Sequence, residues 1–512
     1  MRKKQLLLVA LTLVAALLTV LSAQGVAAAA ADTAKPPDLQ GIAPGTSATA
    51  PTSHGWPEIG KVLPAWTVLP FAAILLSIAL CPLLTPRFWH HHYGKVSALW
   101  ALVFAIPFVY VFHRQAVVEI LHVYIVDYIP FVVLLWALFT IAGGIVVSGS
   151  FQGTPAVNTV LLFLGMVLAS WVGTTGASMV MIRPVLRANK HRVRKAHVIC
   201  FFIFLVANIG GGLTPLGDPP LFLGFLHQVP FFWVTVAVFP HVLLSSCLVL
   251  VTFFVVDTVF YRREKRRGRL AEADADKSPV RIGGLYNLLF LAGVVGLVLM
   301  SGYWKADAFH IMGIEIPYQN LTRDLGILAM GGLSLAVTPW KLRQANEFGW
   351  GPILEVAKLF AGIFMCIIPA VAILKAGKEG ALAPLLAYVT GPGHYFWASG
   401  ALSSFLDNAP TYLTFFNMAL GQLGMTEGMV PLACAMGALS ANPEFVGLLK
   451  GISAGSVFMG ANTYIGNAPN LIVRSMAEDA GVEMPSLVSY TFRWAVPVLV
   501  PVFLVTTWVF FL

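Results

Sequence analysis

Residues 211–220 read GGLTPLGDPP, and residues 460–469 read GANTYIGNAP. Laid one over the other, Gly211 matches Gly460, Thr214 matches Thr463, Gly217 matches Gly466 and Pro220 matches Pro469. Asp218 then falls opposite Asn467. Both runs are embedded in apolar sequence, and neither can stay helical throughout, since Gly costs about 1 kcal/mol and Pro about 3 kcal/mol in a helix interior. Each is expected to be a helix that unwinds near its middle. Carbonyls and half-helix ends then face inward. Asp218, Thr214, Asn462, Thr463 and Asn467 would add side-chain oxygens, a hard donor set that suits a cation such as sodium.

The surrounding composition places these breaks inside a membrane. Of 512 residues, 58% are hydrophobic and only 11% charged, against about 25% charged in an ordinary soluble domain. The net charge of +9 is concentrated in a few loops rather than on a basic folded face, so it reads as a topology signal and not as a nucleic-acid footprint. The five cysteines stand singly in apolar segments, with no CxxC spacing, and read as buried filler. No HExxH motif occurs, and no Ser/His pair has motif spacing, so an enzyme is not expected.

Residues 1–30, with a basic start, an apolar core and small residues at the end, read as a signal peptide. The polar Pro/Ala/Thr-rich stretch at 31–60 is expected to be a disordered extracytoplasmic tail. Stretches long enough to span a bilayer occur near 62–84, 96–113, 129–149, 196–226, 230–260, 284–303, 325–340, 352–374, 450–476 and 487–512. Two more, at 157–187 and 383–420, are interrupted by WVGTTGAS and SSFLDNAP. If these two enter and leave on one side as re-entrant hairpins, RANKHRVRKAH and YRREKRRGR fall on the same side as PRFWHHHYGK. The positive-inside rule then makes that side cytoplasmic and puts both termini of the mature chain outside.

The cytoplasmic linker at 261–282 separates two halves, 61–260 and 283–512. Each half holds five spans and a hairpin, and the second is inverted relative to the first. The expected fold is therefore an all-α polytopic membrane protein of two inverted repeats with broken helices, the pattern of a secondary transporter. The hairpin tips align as VGTTGASMVM (172–181) over FLDNAPTYLT (405–414), placing Thr174 opposite Asp407 and Thr175 opposite Asn408.

With these motifs in hand, the chain from about residue 62 to its end resembles the NhaD-type sodium/proton antiporters and their citrate-transporter-like relatives in the ion transporter superfamily. The resemblance implies a homodimer in the plasma (inner) membrane, with a static scaffold domain and a transport domain that moves like an elevator. It maps the transport site onto Thr174, Thr175, Asn208, Asp218, Asp407, Asn408, Thr411, Asn462, Thr463 and Asn467. The dicarboxylate branch carries Ser-Asn-Thr at its hairpin tips. This chain has GTTGAS and LDNAPT instead, which speaks against dicarboxylates.

The expected activity is sodium/proton antiport with no cofactor, and the alternative is a cation-coupled symporter of citrate or another small carboxylate. A partly dehydrated carboxylate holds protons more tightly, so protons and sodium compete for it. Sodium is expected at Asp218, Asp407 and Asn467. Glu355 and Lys358, three residues apart in EVAKLFAGIF, could pair on one helix face and take part in coupling.

Overall fold

The computed structural model describes residues 56–149, 152–268, 279–435 and 442–512. The expected signal segment, nearly all of the tail after it and the middle of the linker lie outside the described residues. Helices dominate. Two short antiparallel strand pairs complete the regular structure among the described residues: β1 (Val146–Ser148) with β2 (Arg281–Gly283), and β3 (Ala308–Ile311) with β4 (Ile314–Pro317).

In the first half, α1 (Leu69–Leu84) leads into α2 (Pro86–His122), a π-helical turn (Val123–Tyr128) and α3 (Ile129–Ala142). His113 has non-helical dihedrals (φ 47°, ψ −121°) and divides α2 in two, so the expected spans at 96–113 and 129–149 fall on either side of it. The second stops at Ala142, because Val146–Ser148 pairs with Arg281–Gly283 as strand. The hairpin follows as α4 (Pro155–Val172) and α5 (Thr174–Ala188). Thr154 caps α4, its hydroxyl accepting from Val157 N. Gly173 takes φ +84° between the arms, a conformation in which a β-carbon is strained. The broken helix is α6 (Ala196–Leu205), a tight 3₁₀ turn at Ile209–Leu213 and α7 (Pro219–Leu226), followed by α8 (Phe231–Arg266).

The second half repeats this order. It contains α9 (Asn287–Tyr303), α10 (Tyr318–Val337), α11 (Gly351–Cys366) and α12 (Ile368–Lys375), the last two bent by 43° at their junction. The hairpin arms are α13 (Pro392–Ser403) and α14 (Asn408–Leu423). The first arm begins at Pro392 rather than near 383, since Ala383–Leu386 is a separate single turn and Pro at a helix start favours a new helix there. The second broken helix is α15 (Pro443–Phe458), a 3₁₀ turn (Met459–Asn462) and α16 (Ala468–Asp479), with α17 (Val496–Phe510) last.

By length and composition, six helical stretches among the described residues can cross a membrane, or seven if the bent α11–α12 pair is one span. This differs from the ten spans counted from sequence because Pro86–Ala142 runs as one stretch across two of them, Asn287–Tyr303 is short, Tyr318–Val337 is not among the six and the segment at 443–479 is broken, while Pro155–Val172 is a hairpin arm. Apolar side chains such as Leu99, Ile106, Tyr110, Leu289 and Trp508 remain exposed, as lipid contact requires. By contrast α6 is buried on every side from His197 to Leu205. That is the signature of a helix enclosed by others.

The halves interlock. The returning arm of each hairpin packs against the far part of the other half's broken helix: α5 on α16, and α14 on α7. At the basic end a buried network fixes the first hairpin's base. Arg192 donates to Asp257 (2.9 Å) and Glu264 (2.7 Å), while Asn158 and His197 also reach Asp257, each at 2.9 Å.

Candidate functional site

The two broken helices have nearly the same backbone. Thr214 (φ −140°, ψ 158°) matches Thr463 (−138°, 168°), and Asp218 (−145°, 142°) matches Asn467 (−154°, 136°). Extended residues at both ends of each break leave a Gly/Pro loop that returns on itself. A β-carbon on Gly217 would lie 2.2 Å from the Gly211 carbonyl oxygen, and one on Gly466 would lie 2.6 Å from that of Gly460. Only glycine permits such an approach.

The threonines brace these loops. Thr214 donates to the Ser170 carbonyl at the end of α4, and Thr463 donates to the Ser404 carbonyl at the end of α13. Leu216 N and Ile465 N each donate back to the threonine oxygen at 3.2 Å. Each break is thus stapled to the tip of its own hairpin.

Asp218 is the convergence point. It is 1% exposed and stands directly before Pro219, at the start of α7. Oδ1 accepts from the Thr174 hydroxyl (2.9 Å) and Asn467 Nδ2 (3.3 Å), and Oδ2 accepts from Asn408 Nδ2 (2.5 Å). Four elements, two from each half, therefore meet on one carboxylate, and every donor is neutral. Asn467 Nδ2 also faces the Ala207 carbonyl (3.0 Å) and Asn208 Oδ1 (3.3 Å). Asn208 in turn donates to the Ile203 carbonyl and to Asn470 Oδ1, each at 2.8 Å. Asn470 Nδ2 closes the ring on the carbonyls of Gly460 and Thr463, both at 2.9 Å.

The remaining expected residues take other places. Asp407 is half-buried and caps α14, its carboxylate accepting from Ala409 N at 3.1 Å. The tip register therefore shifts by one residue from the sequence alignment: Thr174 and Asn408, each opening its helix, are the equivalents that donate to Asp218. Asp407 answers to Gly173, the residue before. The three expected sodium ligands thus divide, with Asp218 and Asn467 in contact and Asp407 on its own helix end.

Thr411 donates to the Asp407 carbonyl (3.0 Å) and Asn462 Nδ2 to the Ser404 hydroxyl (2.9 Å). Both act locally rather than on Asp218. Asn408 Oδ1 and Asn462 Oδ1 are buried without a hydrogen-bond partner, leaving two acceptor oxygens near the breaks. Glu355 and Lys358 form no ion pair with each other. Lys358 Nζ lies 5.7 Å from the centre of the Tyr93 ring, and its stem packs at Gly94 on α2. Long side chains at that spacing pair only when nothing better covers them, and α2 covers Lys358.

Beside Asp218 opens a cavity of about 50 Å³. One wall is the hairpin tip, with Thr174 and Thr175, together with Asp218 of the break, and the other is apolar, with Leu138 and Phe139 of α3 and Ile353 of α11. Asp218 is the only charged residue lining it among the described residues. Asn470, Ser170 and Ser404 were not singled out from sequence. Asn470 lies one residue beyond the matched decapeptides, and the serines serve partly through their carbonyls, which carry no side-chain signature.

A family described as "Putative citrate transport" matches residues 60–511. The chain belongs to this family. A search of curated proteins returns no match. Membership in a citrate-transport family makes the chain a multi-pass secondary transporter and accounts for the citrate-transporter-like part of the resemblance read from the motifs. The paired breaks and hairpin tips lie within the matched region.

Proposed function

We propose that this member of the citrate-transport family exchanges sodium for protons by alternating access, with Asp218 as the shared binding group. One observation carries the reading: a fully enclosed carboxylate is held only by neutral donors, beside a cavity in which no Lys or Arg appears among the described residues. A multiply charged carboxylate substrate entering that cavity would meet a like charge and an apolar wall. A sodium ion would meet the Asp218 carboxylate and the hydroxyl-bearing Thr174 and Thr175.

In this mechanism Asp218 carries either a proton or sodium, because burying the bare carboxylate is costly. Either load neutralises the site and lets it change sides, whereas the unloaded site stays. Thr174, Asn408 and Asn467 orient the carboxylate. Thr214 and Thr463 keep each break attached to its hairpin tip, so the four elements move together. Thr175 lines the cavity beside Thr174, and the Asp407 carboxylate, one residue before Asn408, adds negative charge near the site that favours cations. The moving unit consists of the hairpins and broken helices, and α1–α3 and α9–α11 form the scaffold on which a homodimer is built. The basic segments face the cytoplasm, the termini lie outside it, and the protein resides in the plasma membrane.

Competition has a direct test. Sodium affinity of the purified protein, measured by calorimetry, should fall as pH is lowered, by about tenfold per pH unit once the site is mostly protonated. A sodium affinity that does not change with pH, or no sodium binding at any pH, refutes the scheme.

A second reading, cation-coupled carboxylate uptake, draws on the family's description and on α5. That helix begins at the cavity without a side-chain cap, so its amino end offers N–H groups to an anion. Saturable citrate binding that requires sodium would favour it.

A further inference from the structure

A second buried charge cluster lies at the end of the bundle away from the basic segments, and nothing above uses it. A cavity of about 30 Å³ there, room for one or two water molecules, is lined by Asp127, His227, Glu427, Lys375 and Asn417. His227 follows α7 directly, and Glu427 lies in the short turn after α14. Asp127 belongs to the π-helical turn between α2 and α3. The cluster therefore joins the α7–α14 unit, which carries Asp218 and Asn408, to the helices that form the opposite wall of the transport cavity.

The geometry specifies a charge state. His227 Nδ1 is 3.0 Å from Glu427 Oε2, and His227 Nε2 is 3.5 Å from Asp127 Oδ1. Both ring nitrogens thus face carboxylates, and imidazole presents two donors only when it is protonated. Lys375 Nζ lies 2.6 Å from Glu427 Oε1. Among the side chains lining the cavity, charged His227 and Lys375 balance Asp127 and Glu427. With His227 neutral, one negative charge is left over in a closed space. Asp127 and His227 are 5% and 8% exposed, and Asp127 Oδ1 and His227 Nε2, aimed at each other, have no hydrogen-bond partner. Their contact is an ion pair, and it exists only while the proton is present.

We propose that His227 is a proton-binding site separate from Asp218, and that its proton holds the α7–α14 unit against Asp127. The charged and titratable groups facing it are Asp127 from the π turn, His122 from the end of α2, Lys375 from α12 and Glu427 from the turn after α14, with Glu119 of α2 beyond them near Lys375. Burial alone would lower the pKa of His227. The nearby Glu427 and Asp127 carboxylates outweigh it, and the docked value lies above the ordinary one. Stabilisation of the docked state is therefore complete below the undocked pKa of His227. It is lost as pH rises through the docked pKa. A proton taken up at this end biases which way the site faces, whatever cargo it carries, so the proposal does not depend on sodium being that cargo.

The test measures the distance between the two units in full-length protein in lipid nanodiscs, by electron–electron resonance as a function of pH. Genetically encoded nitroxide side chains go at the exposed positions Gln115 and Leu432. The wild-type ratio of short to long distance is expected to fall by roughly tenfold per pH unit between the two His227 pKa values. His227→Asn and Asp127→Asn should each flatten that response. Asp127→Asn keeps the shape of the cavity and serves if His227→Asn does not fold. A flat wild-type profile, or an unchanged profile in either variant, overturns the proposal.

Discussion

Gly217 offers the sharpest test of how the site is built. An alanine β-carbon there would lie 2.2 Å from the Gly211 carbonyl oxygen and 2.9 Å from its carbonyl carbon. Both are backbone atoms within the same stapled loop, so no rotamer change can relieve the clash. Restoring ordinary contact requires a shift of about 1 Å, and overpacking of this kind costs typically 1–3 kcal/mol. Asp218 is the next residue, and the same shift would lengthen its 2.9 Å bond to Thr174 to nearly 4 Å, beyond hydrogen-bonding range. Misplacement of a binding group by about 1 Å can cost roughly a hundredfold in rate. Gly217→Ala should therefore lower transport by about that factor while the protein still folds, with a thermal midpoint a few degrees lower. Gly466→Ala, with its closest contact at 2.6 Å, should be milder, and Gly296→Ala, with nothing within 4 Å, should be neutral or stabilising. Cargo uptake into proteoliposomes, together with thermal melting in detergent, checks the order. Wild-type transport by Gly217→Ala would refute the close approach and the placement of Asp218 that depends on it.

Asp407→Ala should cost about 1 kcal/mol of stability through loss of the α14 cap. Asp407→Asn retains a capping oxygen, so a transport defect shared by both variants in melting-matched samples isolates the charge beside the Asp218 site. Arg192→Met would leave Asp257 and Glu264 buried without their shared cation, and a destabilisation of about 3–5 kcal/mol should appear as a markedly lower melting temperature. Glu355→Gln and Lys358→Met should leave the coupling ratio unchanged, as measured from paired cargo and proton fluxes, because neither side chain lines the Asp218 cavity.

The sequence made the broken helices visible because glycine and proline at those spacings exclude a continuous helix whatever surrounds them. The likeness between 211–220 and 460–469 extends to the backbone dihedrals of Thr214 and Thr463. The hairpins were legible as interruptions, but their register was not. Thr174 and Asn408 do the same work with different functional groups, so matching by residue type placed Thr174 against Asp407, one position off. The Asn208–Asn470 contact and the cluster around His227 join residues from opposite halves or distant loops, and no local pattern announces such pairs. Glu355 and Lys358 show the converse. Their spacing permits an ion pair, but packing against α2 decides where Lys358 goes.

The central claim is that protons and sodium compete for Asp218, and one measurement meets it most directly. Inside-out vesicles carrying the wild-type chain or Asp218→Asn are given an inwardly acid pH gradient, then sodium, while a pH-sensitive dye is followed. Dequenching on addition of sodium to the wild type, absent in Asp218→Asn vesicles with equal amounts of folded protein, is the predicted result. No response to sodium or lithium, together with cation-dependent uptake of labelled citrate, would contradict the account and assign the Asp218 site to a co-transported ion.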